Sequence, residues 1–353
     1  MNFGTIQVAN IFVGTLNAIE AYFGNEKVWG KSEPATPNWL CFTAEQANST
    51  VKMKAEGKAP TVSLEYSTDG NNWSPFVVSK EGVEGTTVKL ANIGDKMYMR
   101  ATSSGNTGMG SSSSDYNKFV MTGKIAASGN VDTLLDQNGN ATLTRYCYRG
   151  LFIGCTSLTT APELPATTLA RYCYDSMFWG CTSLTAAPEL PATTLINYCY
   201  SSMFYGCTSL TQAPELPATT LAFCCYQNMF WDCTSLTTAP ISPATTLDSY
   251  CYKSTFNSCS SLTGTITIPV INTNTTIASN CYLSIFNDCP NITKVILDCS
   301  TFASIPTLSN ANSINVFNNT TDERFEIHVP SSLEADWKTA SNWSNWASHI
   351  VGV

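Results

Sequence analysis

Fifteen cysteines are the first residues in this chain whose type and spacing could do chemistry. Twelve fall into two columns. Cys147, Cys173, Cys199, Cys225 and Cys251 recur every 26 residues and Cys281 follows after 30; Cys155, Cys181, Cys207, Cys233, Cys259 and Cys289 keep the same steps. Cys41, Cys224 and Cys299 stand outside the columns. Thiols at this density could form disulfides or hold zinc. The repeat-locked spacing points instead to cysteine used as a small buried hydrophobe. No Cys-x-x-Cys occurs, and His328 and His349 are the only two histidines, so neither a metal nor a cofactor is expected.

Two further sets of side chains recur with the same period. Glu163, Glu189 and Glu215 occupy one repeat position, so they form a ladder of carboxylates along one edge. Such a ladder could hold a cation or act as a glycosidase-like acid pair. A solvated row that guards a strand edge is favoured, because stacked like charges repel and the fourth copy has Ile241 instead. Tyr174, Tyr200 and Tyr226, continued by Tyr252, and beside them Trp179, Tyr205 and Trp231, make an aromatic column. These rings are candidates to bind sugars or peptides on a repeat surface, or equally to pack a core. No Gly-rich phosphate loop and no nucleophile elbow appears, and both histidines lie near the C-terminus, where packing is the expected role. Ser67 to Trp73, STDGNNW, approximates the Asp-box hairpin of sialidase propellers, but it is a residue short and occurs once, so no catalytic role attaches to it. The chain is expected to be non-enzymatic.

What must position these residues is a repeat running from Leu143 to Leu297. Four copies are nearly verbatim: LTRYCYRGLFIGCTSLTTAPELPATT, LARYCYDSMFWGCTSLTAAPELPATT, LINYCYSSMFYGCTSLTQAPELPATT and LAFCCYQNMFWDCTSLTTAPISPATT. A fifth drifts and a sixth is degenerate. A unit of 26 residues cannot bury its own apolar face, whereas stacked units cover one another. In the second copy Leu169, Cys173, Met177 and Phe178 recur at helix-like spacing, so YCYDSMFWGC reads as a short helix or helical turns stopped by Gly180. SLTAAPEL reads as a short extended segment with Leu184 and Leu190 in the core, and Pro188 and Pro191 exclude a long central strand. The expected fold is mostly β with short helices, its C-terminal part a solenoid of 26-residue period.

Phe178, Gly180, Cys181, Ser183, Leu184, Pro191 and Leu195, with their counterparts in the other copies, resemble the leucine-rich repeats of the BspA, or Treponema pallidum, type. Phe325 to Ile350, with a last strand, Val-Pro, a helix and an Asn-Trp pair, resembles the cap that closes such arrays. The resemblance implies a surface protein that binds other surfaces, without specifying the ligand.

Upstream, residues 1–32 read as short strands joined by tight turns, too small to fold alone. Ile19, Tyr22, Gly24, Val28 and Trp29 resemble a short N-terminal module on structural proteins of Bacteroidales (crAss-like) phages, which implies an assembly anchor. Residues 33–127 open with a proline-containing linker and continue as alternating strands, with Asp69-Gly70 as a hairpin signal, so a β-sandwich is expected there. Residues 128–353 are then the repeat array with its terminal cap, entered through Ser128–Asn140.

Charged residues make up 12% of the chain and the net charge is −8, so the surface is polar but weakly charged and carries no basic cluster for nucleic acid. No apolar run is long enough to span a bilayer, and MNFGTIQVANIFVGT lacks the pattern of a secretory signal. The combined expectation is a virion head or tail fibre or decoration protein. It would be held to other virion proteins by residues 1–32, form a homo-oligomer, and present its repeats to a host surface glycan or protein. A bacterial cell-surface adhesin whose export signal is missing is the alternative.

Overall fold

The computed structural model describes residues 21–23, 26–29, 38–240, 242–269, 280–298, 325–340 and 343–353. They are mostly β, with a single short α-helix among them. The chain divides into two compact units, Met1–Asn38 and Trp39–Val353. In the first, β1 (Ala21–Phe23) runs antiparallel to β2 (Glu26–Trp29), with Tyr22 opposite Lys27 and Ala21 opposite Trp29. Tyr22, Val28 and Trp29 of the expected anchor lie on this strand pair, whereas Ile19 and Gly24 fall outside the described residues.

The second unit begins with eight strands, of which the fourth, seventh, eighth and ninth of the chain alternate inward and outward residues, as a half-buried sheet requires. These are β3 (Leu40–Ala44), β4 (Ser49–Glu56), β5 (Leu64–Ser67), β6 (Ser74–Phe76), β7 (Thr87–Leu90), β8 (Lys96–Ala101), β9 (Tyr116–Thr122) and β10 (Ile125–Ser128). Val51 and Met53 of β4 face inward while Lys52 and Lys54 face water; Met97, Met99 and Ala101 do the same on β8. One sheet has the order β7-β4-β9; the other has β11-β10-β3-β8-β5-β6, where β11 (Leu158–Thr160) belongs to the first repeat copy. The β5–β6 turn uses Asp69 as its clasp. The Asp69 carboxylate accepts the backbone N–H groups of Asn71 and Asn72, each at 2.8 Å, and Gly70 takes φ +76°. Those N–H bonds, Asn72 first, hold the Asp69 carboxyl well below the usual range.

The core does not stop at the expected boundary between residues 127 and 128. β10 is antiparallel to β3 on one side and parallel to β11 on the other. Phe119 of β9 packs edge-on against Phe42 at 4.9 Å and stacks on Phe152 of the first copy at 5.0 Å. The Phe119 amide donates to the Leu151 carbonyl, and the Phe119 carbonyl accepts the Cys155 thiol. β9 therefore stands where a preceding copy would stand.

Within the array, of the short helix or helical turns expected, the structure has a train of turns. In the second copy the amides of Cys173, Asp175, Met177, Trp179 and Cys181 bond three residues back within the copy. Those between them, on Tyr174, Ser176, Phe178 and Gly180, donate to Cys199, Ser201, Met203 and Tyr205 of the next copy. A helix would satisfy every amide internally; here every second one is spent on the neighbour. Left-handed residues four apart make this possible: Tyr172, Ser176 and Gly180 have φ of 61°, 55° and 72°. Non-glycine residues adopt that conformation at a cost, which the cross-copy bonds offset.

Side chains stack on their own kind. Phe152, Phe178, Phe204, Phe230, Phe256 and Phe286 form a buried column with centroids 5.3–5.7 Å apart. Each cysteine of the second column donates its thiol to a phenylalanine carbonyl of the copy before: Cys181 to Phe152, Cys207 to Phe178, Cys233 to Phe204. This is a physical reason for cysteine there; alanine would leave the carbonyl without this donor. Leu184 and Leu190 are buried. The extended segment that opens with Leu184 is a strand in the first copy, as β11, and again in the fifth and sixth; the second and third copies meet their neighbours there through isolated parallel bridges, Thr160 with Ala186 and Ala186 with Gln212.

At the far end β12 (Gly264–Pro269), β13 (Ile292–Asp298), β14 (Glu326–Val329) and β15 (Ile350–Gly352) form a parallel sheet in that order. Helix α1 (Glu334–Thr339) buries Trp337 edge-on against Trp343 at 4.6 Å. No helix among the described residues is long and apolar enough to cross a membrane.

Candidate functional site

The candidate aromatic residues separate into two groups. Tyr174, Tyr200 and Tyr226 are buried, with centroids 5.8 and 6.1 Å apart in a column that starts at Tyr148 and ends at Tyr282. They cannot meet a ligand on the repeat surface, so for these three the packing alternative is the correct one. They are buried together with their neighbours Cys173, Cys199 and Cys225. The Tyr148 hydroxyl donates to Asp132 Oδ1 at 2.8 Å, and burial pushes the Asp132 carboxyl up.

Trp179, Tyr205 and Trp231 lie on the outside. Trp179 is 39% exposed, while Tyr205 and Trp231 are half-buried. Their centroids are 4.6 and 5.4 Å apart and their planes tilt by 33° and 35°. Neighbouring rings thus cover much of each other's faces. A ligand meets ring edges, an indole N–H and a phenol, rather than an open stacking platform.

Glu163, Glu189 and Glu215 are exposed. Glu189 and Glu215 line a groove of about 400 Å³ whose walls include Pro188, Pro191, Pro214 and Pro217. Among the described residues no three His, Cys, Asp or Glu side chains are arranged to hold a metal ion. The fourteen described cysteines are buried and unpaired. Burial pushes up the thiols of Cys147, Cys173, Cys181 and Cys199 and raises those of Cys155 and Cys289 to about 12, so these six are held as neutral thiols and not as nucleophiles.

One row was not singled out in the sequence. Tyr146, Tyr172 and Tyr198 precede the first cysteine of their copies and stack 4.7 and 4.5 Å apart, half-buried. All three adopt φ near +61°. Phe223 ends the stack edge-on at 5.4 Å, because Cys224 takes the tyrosine position in the fourth copy. The guanidinium of Arg145 lies 4.8 Å from the Tyr146 ring and that of Arg171 lies 5.1 Å from the Tyr172 ring. The signal was present in the recurring Arg-Tyr-Cys-Tyr of the first two copies, but the outer tyrosine was hidden beside the cysteine column.

A buried ion pair sits one position further in. Arg149 Nε is 3.0 Å from Asp175 Oδ2, and the Arg149 guanidinium packs 4.9 Å from the Tyr116 ring. Burial outweighs the pull of Arg149 and raises the Asp175 carboxyl to about 6. Near the C-terminal end, His328 Nε2 lies 2.6 Å from Glu326 Oε2, and His349 Nδ1 lies 3.0 Å from the Phe325 carbonyl.

Scanned against known protein families the chain matches none, and no curated protein matches it.

Proposed function

We propose that this chain is a non-enzymatic structural and adhesion protein of a phage virion, a head or tail fibre or decoration protein. Residues 1–32 are its anchor to other virion proteins, residues 33–127 a β-sandwich spacer, and residues 128–353 a BspA-type leucine-rich-repeat solenoid closed by its cap. The chain works as a homo-oligomer, and the repeat surface binds a host surface glycan or protein.

The observation that carries this reading is the way each copy spends alternate backbone amides on the next, as Tyr174 and Phe178 do on Cys199 and Met203. Such an array is held stiff along its length and displays the same side chains in rows: Trp179 with Tyr205 and Trp231, Glu189 with Glu215. Rows of identical groups suit many weak contacts, and avidity raises apparent affinity by roughly 10²–10⁴ without a tight single site. Low charge content, 12% of residues, also fits a surface made to contact others.

Mass spectrometry of purified particles from a phage-infected Bacteroidales culture tests the reading. Peptides of this chain in stoichiometric amount, including Met1, are the expected result. Peptides confined to the bacterial envelope, from a longer precursor, would replace it with a cell-surface adhesin.

A further inference from the structure

The described residues include four arginines: Arg100, Arg145, Arg149 and Arg171. Two are matched to carboxylates, Arg100 to Glu65 at 2.6 Å and Arg149 to Asp175 at 3.0 Å. The other two are exposed and lie one copy apart. Among the described residues, neither Arg145 nor Arg171 has an ion-pair partner. They share one phenol ladder: Arg145 lies over Tyr146 and Tyr172 at 4.8 and 5.7 Å, Arg171 over Tyr172 and Tyr198 at 5.1 and 5.7 Å. Two like charges held side by side repel. The chain's net charge is −8, yet among the described residues no carboxylate is paired with either guanidinium.

We infer that Arg145 and Arg171, set on the Tyr146–Tyr172–Tyr198 ladder, are a binding strip for an acidic polysaccharide. Cation–π contact ties each guanidinium to the ladder, which reduces the rotamer freedom lost on binding. Arg145 Nη2 also approaches the Tyr146 hydroxyl at 3.2 Å. A flat guanidinium presents a fork of N–H donors that matches the paired oxygens of a carboxylate or sulfate. The phenol hydroxyls beside it are both donors and acceptors, the chemistry that sugar hydroxyls need. Because the rungs repeat every 4.5–4.7 Å, the fitting ligand is itself a repeating polymer with regularly placed anions. Nucleic acid fits poorly, since its affinity depends on neutralising many phosphates and two arginines supply little of that. The strip names a ligand class for the adhesive surface and in that sense rests on the function proposed above.

The test is affinity electrophoresis of the full chain through gels containing dextran sulfate, polygalacturonate, neutral dextran or polyglutamate. Retardation by one or both acidic polysaccharides, and not by dextran, is expected; which of the two retards separates sulfate from carboxylate recognition. The double variant Arg145→Gln/Arg171→Gln should bind at least about tenfold more weakly, because two charge-assisted forks are lost. Arg145→Lys/Arg171→Lys, which keeps charge but not the fork, should fall between. Lys52→Gln/Lys89→Gln removes the same charge from exposed positions on β4 and β7 and should bind as the parent does. The inference is overturned by no retardation in either acidic polysaccharide, by equal retardation in polyglutamate, or by an equal loss in the Lys52/Lys89 variant. Chain present in particles without retardation removes this inference alone; retardation by a chain absent from particles removes the virion reading alone.

Discussion

Residues 39–128 and the repeats from Leu143 onward build one continuous core by opposite means. In the sheets, different residues meet: Phe42 packs on Phe119, and Met97 and Met99 of one sheet share a core with Val51 and Met53 of the other. Specificity comes from alternation and from antiparallel register, so each contact is unique. In the array each residue meets its own counterpart, phenylalanine on phenylalanine and tyrosine on tyrosine. Within such a column the rung above and the rung below impose the same shape. The two regions differ electrostatically as well. Carboxyls of the sheet region, Glu56, Asp69 and Asp115, are held below their usual range by hydrogen bonds. Asp132 and Asp175, packed against the array, are pushed up by burial.

The largest effect expected within this contrast is on the phenylalanine column. Phe204→Ala should cost about 3–5 kcal/mol and Leu184→Ala about 2–5 kcal/mol by urea denaturation. An unchanged midpoint for either would break the description of a self-stacked core.

The pH response separates the regions next. Asp175 has its pKa raised to about 6 in the folded protein, so across roughly pH 4 to 6 the folded state holds a proton that the unfolded chain has released. Its contribution is fully present below the unfolded value and is lost as pH rises to about 6. The lowered carboxyls of the sheets act in the reverse sense: their contribution is present above the usual value and is lost as pH falls through the folded one. Relative to Asp175→Asn, the parent protein should therefore lose on the order of 1–3 kcal/mol between pH 4.5 and pH 7. A difference that is flat with pH, or that grows, would contradict the role of burial at Asp175.

Cys181→Ala should cost about 1–2 kcal/mol by leaving the Phe152 carbonyl without its thiol donor. A neutral outcome would reduce the thiol column to simple filler. The smallest effect is a gain: Asp232, at φ 60°, occupies the position held by Gly154, Gly180 and Gly206 in earlier copies. Asp232→Gly should stabilise by about 0.5–1 kcal/mol, since glycine adopts that conformation without steric cost. A loss of stability would show that the Asp232 side chain holds the turn in some other way.

Much of the array was legible beforehand because a repeat states its own constraints. Identical residues at a fixed interval must occupy equivalent places, so the cysteine columns and the burial of Leu184 and Leu190 followed from spacing. The turn train did not. Leu169, Cys173, Met177 and Phe178 have helical spacing, and spacing alone does not say whether an amide bonds within its copy or to the next. Nor does it tell which of two neighbouring aromatics faces inward, and so Tyr174, Tyr200 and Tyr226 stood beside Trp179 as equal candidates until burial separated them.

The period, the columns, the alternating strands upstream and the Asp69-Gly70 turn were readable from the chain, because each rests on chemistry within one short segment. That β9 serves as the rung before the first copy, and that thiols of one copy bond to carbonyls of another, came only with the packed structure. It alone placed Arg145 and Arg171 unopposed on one phenol ladder. Those features depend on which groups meet across 26 residues or more, and that is set by how the copies stack.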